Sequence, residues 1–537
     1  MGFKTASKAS SDAGLKVALS GLGGGGFVCN LQKLMAVLRI FLDSQRMSLF
    51  NRQIVSRNVR ATVLQVLVTS IVFFILYRFL LDHLGVVQLG VWSLVLATTS
   101  VSRIGDFGLS AGVIRFVAQA LGQDHSKRAA EIIQTVALTL GVLMAALVVL
   151  CFPLFVSALK YLLPEQSVHS ALHILPYALL SLWAMIIAGV FTGGLDACQR
   201  IDLRSALHVV ANLAYLGTAI FLVPTYGLEG VAIAQVAQSL GLVVVSWWML
   251  RRQIRSLPIL PLCWRLPLLK EMIGYGANFQ IMTFMSMLFD PVTKGLMSKF
   301  GGLEALGYYE MANKLILQSR AIIVEASRVI VPTVSILRER EPEKIVQIFV
   351  VSYQLLFYVA VLFYTCVAVS LPSISVLWIG SYQPMFIQFA LLLTFGWFVN
   401  TVIGPAFFSN LGTGELRQNV ISQSLIGLLG FAAGMIFGVL LNGVGVVLGI
   451  VFGLIVGSVF LLVSYMKKSG LCWSAVIIPS GMWQLLAMGS VAVWLSNYGS
   501  YVERSLAAVL TIGLICAAGI IIVGWTHSTR KELFRLI

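Results

Sequence analysis

Residues Gly302 to Arg320 read GLEALGYYEMANKLILQSR, and residues Gly85 to Arg103 read GVVQLGVWSLVLATTSVSR. Aligned without gaps, Gly85 falls on Gly302, Leu89 on Leu306, Gly90 on Gly307, Ser102 on Ser319 and Arg103 on Arg320. Trp92 falls on Tyr309, aromatic on aromatic. The offset is constant (307 − 90 = 217). Self-similarity inside apolar segments marks an internal duplication. Here each copy ends on an arginine deep in a hydrophobic helix.

Working outward, the 537 residues are 58% hydrophobic and only 11% charged. Soluble domains average about 25% charged residues. Apolar runs of membrane-crossing length recur from Arg60 to Trp525. Each can cross about 30 Å of hydrocarbon as a helix. They are too long for barrel strands and lack period-2 alternation. The fold expected is an all-α polytopic membrane protein of about fourteen transmembrane helices.

The net charge of +16 sits mostly in short connections, which the positive-inside rule produces and nucleic-acid binding does not require. Lys127 and Arg128, Arg200 and Arg204, Arg251 to Lys270, Arg338 to Lys344, Arg417, and Lys467 with Lys468 all fall on one side of a fourteen-span count. That places both termini in the cytoplasm. An even number of spans per repeat makes the repeats parallel. The expected organisation is a basic N-terminal cytoplasmic segment at 1–56 and an N-lobe of spans one to six at 57–252. A cytoplasmic linker at 253–270 leads to a C-lobe of spans seven to twelve at 271–468. Spans thirteen and fourteen, with a cytoplasmic C-terminus, occupy 469–537. In the first segment Met47 is a candidate natural start, the alternative being a mobile basic tail. It holds no uninterrupted apolar core before a small-residue cleavage site, which argues against a secretory signal.

The seven scattered cysteines have no paired spacing and read as packing residues, not a disulfide framework or zinc site. His169 and His173, one turn apart, are too few for a metal site. No nucleophile constellation, metalloprotease motif or nucleotide loop appears, so the chain reads as a non-enzyme without cofactor.

Chemistry concentrates in the repeat helices and the seventh span. The second span carries Arg103, Asp106 and Arg115, the seventh Asp290 and Lys294, and the eighth Glu310, Lys314, Arg320, Glu325 and Arg328. A charge at a helix centre costs about 2.5–3.5 kcal/mol on insertion scales, so these residues should face a water-filled cavity or one another. Arg103–Asp106 and Glu325–Arg328 are i,i+3 pairs; Asp290–Lys294 and Glu310–Lys314 are i,i+4 pairs. Some of these pairs can serve only to neutralise charge between helices. Arg115 has no nearby acid in its own helix. Six basic residues against four acidic ones lean towards an anionic substrate, and guanidinium groups suit phosphate oxygens. Pro291, inside the seventh span, can kink the helix beside Lys294. Gly105-Asp106-Phe107-Gly108 is a candidate flexible point.

The run Asp290-Pro291-Val292-Thr293-Lys294, then Phe300-Gly301-Gly302 and Leu306-Gly307-Tyr308-Tyr309-Glu310-Met311-Ala312-Asn313-Lys314 resembles the bacterial polysaccharide biosynthesis proteins. These are O-antigen-type oligosaccharide flippases of the superfamily that includes the multidrug and toxic compound extrusion transporters. Leu89-Gly90-Val91-Trp92 and Gly105-Asp106-Phe107-Gly108-Leu109 look like that family's first-half motif. The match covers roughly Ser56 to Lys468. The resemblance implies two lobes, alternating access, and a cationic central cavity. It implies an undecaprenyl-pyrophosphate-linked oligosaccharide moved across the bacterial inner membrane, beside membrane lipids and alongside a polysaccharide polymerase and glycosyltransferases. The candidate phosphate-binding residues are Arg103, Arg115, Lys294, Lys314 and Arg320. Asp106, Asp290 and Glu310 are candidates for charge pairing or for coupling to H+ or Na+. An ion-coupled organic-cation antiporter of the same superfamily is the runner-up, followed by a peptidoglycan-precursor flippase and a non-transport membrane role.

Overall fold

The computed structural model describes residues 52–101, 109–327, 330–471, 480–502 and 505–526. The N-terminal segment before Arg52, Arg103, Asp106 with its glycine-flanked stretch, and Arg328 lie outside the described residues. What is described is helical, with no strand among those residues. The helices are α1 Arg52–Ser100, α2 Leu109–Gly122, α3 Ser126–Leu162, α4 Glu165–Ala197, α5 Ile201–Gln253, α6 Leu266–Leu296, α7 Gly302–Ser327, α8 Ile330–Arg340, α9 Lys344–Ile374, α10 Pro384–Val402, α11 Gly404–Thr413, α12 Arg417–Ser469, α13 Ser480–Val502 and α14 Leu506–Thr526. Seven are long and apolar enough to cross a membrane, and the protein is a multi-pass membrane protein.

Three helices are too long for one crossing. At 1.5 Å per residue the 53 residues of α5 would reach about 80 Å, far beyond a bilayer core. Each folds back at a residue outside helical φ/ψ: α1 at Gly85 (φ 77°, ψ 167°), α5 at Gly227 (φ 56°, ψ −131°) and α12 at Asn442 (φ 53°, ψ −137°). With α2, α8 and α11 continuing the passes before them, the described chain crosses fourteen times. A π-helical turn, Met297–Gly301, joins α6 to α7.

The backbone carries the duplication. Gly302, the repeat partner of Gly85, has φ 81° and ψ 175°, so the same glycine makes the same turn in both copies. The two repeat helices then cross with reciprocal contacts. A Cβ on Gly90 would meet the Leu303 carbonyl oxygen at 2.3 Å, and a Cβ on Gly307 would meet that of Val86 at 2.3 Å. Each contact is the other displaced by the repeat offset, which places a pseudo-two-fold axis between the helices.

The halves do not pack equally along their length. At the end marked by Gly85 and Gly302 one core is shared: Leu76, Leu80, Val95 and Leu175 of the first half pack with Leu306, Tyr309, Trp378 and Phe389 of the second. Phe74 stacks on Trp378 at 4.9 Å, and Trp378 Nε1 donates to the Phe74 carbonyl at 2.7 Å. Towards the opposite end the cores separate. One gathers Val113, Ile133, Phe191 and Leu250 of the first half, joined by Leu269 and Met272 from the start of α6. The other gathers Phe349, Tyr353, Tyr364 and Tyr465 of the second half. The molecule is sealed at one end and divided at the other.

Candidate functional site

Between the halves, next to the shared core, lies a cavity of about 440 Å³. Its charged side chains are Asp290, Lys294, Glu310 and Lys314, so the structure brings together four of the eight residues singled out from the sequence. Lys294 is buried and its Nζ lies 3.0 Å from Asp290 Oδ2 and 2.8 Å from Glu310 Oε2. Helical spacing places Lys294 one turn beyond Asp290 on α6, and the α6–α7 crossing brings Glu310 to it. Glu310 is also buried and accepts from the first half: Tyr77 Oη donates to Oε1 at 2.9 Å, and Ser93 Oγ to Oε2 at 2.9 Å. This carboxylate is therefore a bridge between the halves. A buried charge held by two hydroxyl donors and one opposite charge satisfies the requirement that interior ions be paired and hydrogen-bonded.

Glu310 and Lys314 make no contact ion pair among the described residues, although the Lys314 charge still acts on the Glu310 carboxylate. The α6–α7 crossing gives Glu310 a closer cation in Lys294, and Lys314 turns to the face of Phe73, its Nζ 4.8 Å from the ring centroid, within cation–π range. The four described charges balance, two against two, so the excess of basic residues counted along the sequence is not reproduced inside this cavity. Pro291 sits within the continuous helix α6.

Arg320 lies elsewhere. It lines a side cavity of about 210 Å³ in the second half with Phe289, Trp397, Asn400 and Gln423. No described residue lines both cavities. Its Nη2 donates to Asn400 Oδ1 at 2.9 Å, its guanidinium carbon is 4.5 Å from the Trp397 ring centroid, and its Nε is buried without a partner. Arg320 therefore lines a cavity separate from the one around Lys294, and Arg103 lies outside the described residues. Arg115 is exposed on α2, 5.9 Å from the Phe116 ring, and is not part of the central lining. His173 pairs with Glu229 at 3.1 Å, and no metal-ligand cluster occurs among the described residues. A larger groove of about 670 Å³ runs between α9, α10 and α13. Its lining, including Ile387, Phe395, Phe398 and Trp494, is mostly apolar, with no charged side chain among the described residues.

Sequence reasoning missed the neutral half of the central site. Tyr77, Ser93, Tyr215, Gln235 and Gln238 line it or bond into it. The repeat held the signal for two of them. Tyr77 is offset from Lys294, and Ser93 from Glu310, by 217 residues.

The family model described as polysaccharide biosynthesis protein matches residues 55–338, just over half of the chain. The chain belongs to the polysaccharide biosynthesis protein family. That match takes in the whole central cavity. Among solved structures, the family member's fold is similar to an inward-facing multidrug-resistance transporter of the MATE family (TM-score 0.65, 14% identity, covering 75% of this chain and 94% of that one). It is also similar to the lipid II flippase MurJ in an inward closed conformation (0.62, 13%, 85% and 98%). A third is a MOP superfamily transporter from Pyrococcus furiosus described as having a binding pocket of reversed polarity (0.58, 13%, 77% and 95%). No curated protein matches the chain by sequence. The protein is thus a multi-pass membrane protein of the polysaccharide biosynthesis protein family, with a fold like that of these transporters.

Proposed function

We propose that this protein translocates polyprenyl-pyrophosphate-linked oligosaccharide across a bacterial inner membrane during surface polysaccharide synthesis. The observation that carries this reading is the family match spanning a cavity that the two halves build together. Lys314, without an ion-pair partner among the described residues, is the group best placed to meet a phosphate. Arg320 offers a second cationic position deeper in the C-lobe. With both termini cytoplasmic, the divided end faces the cytoplasm and the sealed end faces outwards, which is the loading state for a substrate assembled inside.

Translocation requires the shared core at the sealed end to part. Glu310 must then release Tyr77 and Ser93. A proton or a sodium ion arriving at Glu310 or Asp290 would weaken those bonds, which makes the Asp290–Lys294–Glu310 group the coupling element proposed here. The glycosyltransferases that assemble the glycan act before this step and the polymerase after it.

A second reading, ion-coupled efflux of organic cations, is supported by the balance of charge in the central cavity. Complementation of a deletion strain separates the two. Lys314→Ala and Arg320→Ala should lower surface polysaccharide at normal protein level, and wild-type levels in both would defeat the phosphate-binding roles. Export of cationic dyes by proteoliposomes, with no polysaccharide defect in the deletion strain, would establish the antiporter instead.

A further inference from the structure

The two walls of the central cavity are chemically unlike. The repeat offset of 217 residues pairs each charged cavity position of the second half with an uncharged one in the first: Asp290 with Phe73, Lys294 with Tyr77, Glu310 with Ser93 and Lys314 with Ala97. Beyond these, the first half contributes Trp92, Tyr215, Gln235 and Gln238, and no acid, lysine, arginine or histidine among the described lining residues.

Several of these groups lack protein partners. Tyr215 is only 7% exposed and Trp92 only 6%. Neither the Tyr215 hydroxyl nor the Trp92 indole N–H hydrogen-bonds to protein among the described residues, although buried tyrosine and tryptophan polar atoms normally find a partner. The Gln235 amide is likewise without one. Gln238 is oriented rather than free: its Nε2 donates to Asn212 Oδ1 at 2.8 Å, and Asn212 Nδ2 donates to Thr69 Oγ1 at 3.0 Å. That chain leaves Gln238 Oε1 as an acceptor at the cavity wall. Donors, acceptors and aromatic faces without charge are what a polyol needs: hydroxyls bond the amides and phenol, and sugar C–H faces lie on rings. A carboxylate against this wall would lose hydration with no cation to receive it.

We propose that the first-half wall is the sugar-reading surface of the transporter, with Tyr215, Trp92, Gln235 and Gln238 as specificity residues selecting uncharged, hydroxyl-rich sugar units, while the second-half wall holds the phosphate. This rests on the flippase reading above. The test uses full-length protein in nanodiscs and three synthetic undecaprenyl pyrophosphate probes: bare, carrying a neutral trisaccharide, and carrying the same glycan with one hexose replaced by a hexuronic acid. Wild type should bind the neutral glycolipid at least tenfold more tightly than the bare lipid and more tightly than the acidic one. Tyr215→Phe and Gln235→Leu remove groups that bond nothing among the described residues, so folding should survive. Each should weaken neutral-glycan binding about three- to tenfold, the worth of one hydrogen bond, and leave bare-lipid binding unchanged. Equal effects on bare and glycosylated probes, no effect on any, or preference for the acidic glycan would overturn the proposal. If no pyrophosphate probe binds better than undecaprenol, the flippase reading itself falls, and this inference with it. Loss of glycan discrimination alone sinks only the inference.

Discussion

Gly307→Ala should force the sealed end open. The alanine Cβ would sit 2.3 Å from the Val86 carbonyl oxygen and 2.5 Å from Val86 Cγ2. Ordinary contact begins near 3.4 Å, so the two repeat helices must separate by about 1 Å or tilt. Overpacking of this kind costs about 1–3 kcal/mol. The strain exists only while the halves are closed at this crossing, so it biases the conformational equilibrium by about 5- to 150-fold towards the state in which they part. Spin labels on an otherwise cysteine-free protein read this out. A pair at His83→Cys and Ser381→Cys, both exposed near the sealed end, should gain a longer-distance population. A pair at Lys127→Cys and Glu343→Cys, exposed at the divided end, should gain a shorter one. Gly90→Ala meets the Leu303 carbonyl at 2.3 Å and should act alike. The double variant should cost less than the sum, because the first substitution already separates the helices that the second would clash with. Unchanged distance distributions in both single variants, with unchanged thermal stability, would refute the crossing as a determinant of the closed end.

Lys294→Met strands the buried Glu310 carboxylate and should cost about 3–5 kcal/mol, seen as a large fall in the Tm of detergent-solubilised protein; Asp290, half-exposed, adds little. Lys314→Met, which breaks no contact ion pair among the described residues, should lower Tm much less than Lys294→Met and weaken uptake of bare undecaprenyl pyrophosphate about 10- to 150-fold, the range of a charge-assisted hydrogen bond of about 1.5–3 kcal/mol. Asn442 holds a positive φ at a turn whose first-half counterpart is Gly227. Asn442→Gly should therefore relieve strain and stabilise the fold, whereas Gly227→Asn should destabilise it, each by about 1–3 kcal/mol, read as a rise and a fall in Tm.

The helical class, the fourteen passes and the duplication were legible because they depend on local composition and on one glycine-led motif. Gly85 and Gly302 turn alike because both need φ near 80°, a demand that shows in the residue itself. The Asp290–Lys294 pair was legible because i,i+4 spacing fixes it within one helix. Glu310–Lys314 had the same spacing but makes no direct contact, because a helix crossing supplied a nearer partner that spacing along α7 cannot reveal. Arg320 was legible as a buried cation but not as the lining of a separate cavity, since that depends on which face of α7 meets α10 and α12. Tyr215 and the glutamines were invisible for a different reason: uncharged polar residues in a membrane helix raise no alarm until a cavity is seen beside them.

The unequal charge of the halves follows from the symmetry that relates them. Residues on a pseudo-two-fold axis meet their own repeat partners, and Ser93 Oγ lies 2.9 Å from Glu310 Oε2, its partner 217 residues on. Had both copies kept glutamate there, two carboxylates would face each other at about 4 Å, a repulsion of about 4 kcal/mol at an effective dielectric of 20. A charge on the axis can therefore survive in one copy only, and the other must become a donor to it, as Ser93 has. The same logic extends one turn outwards. Tyr77 and Lys294, also partners by offset, both bond the one Glu310 carboxylate at 2.9 and 2.8 Å. Two lysines there would share one Glu310 carboxylate, and the second would have no aspartate beside it, because Phe73 stands where Asp290 stands in the other copy. Duplication supplied two equivalent walls, and the electrostatics of the axis required that they diverge, one towards ions and the other towards neutral polar and aromatic groups. A transporter whose cargo carries a charged end and an uncharged end can use both.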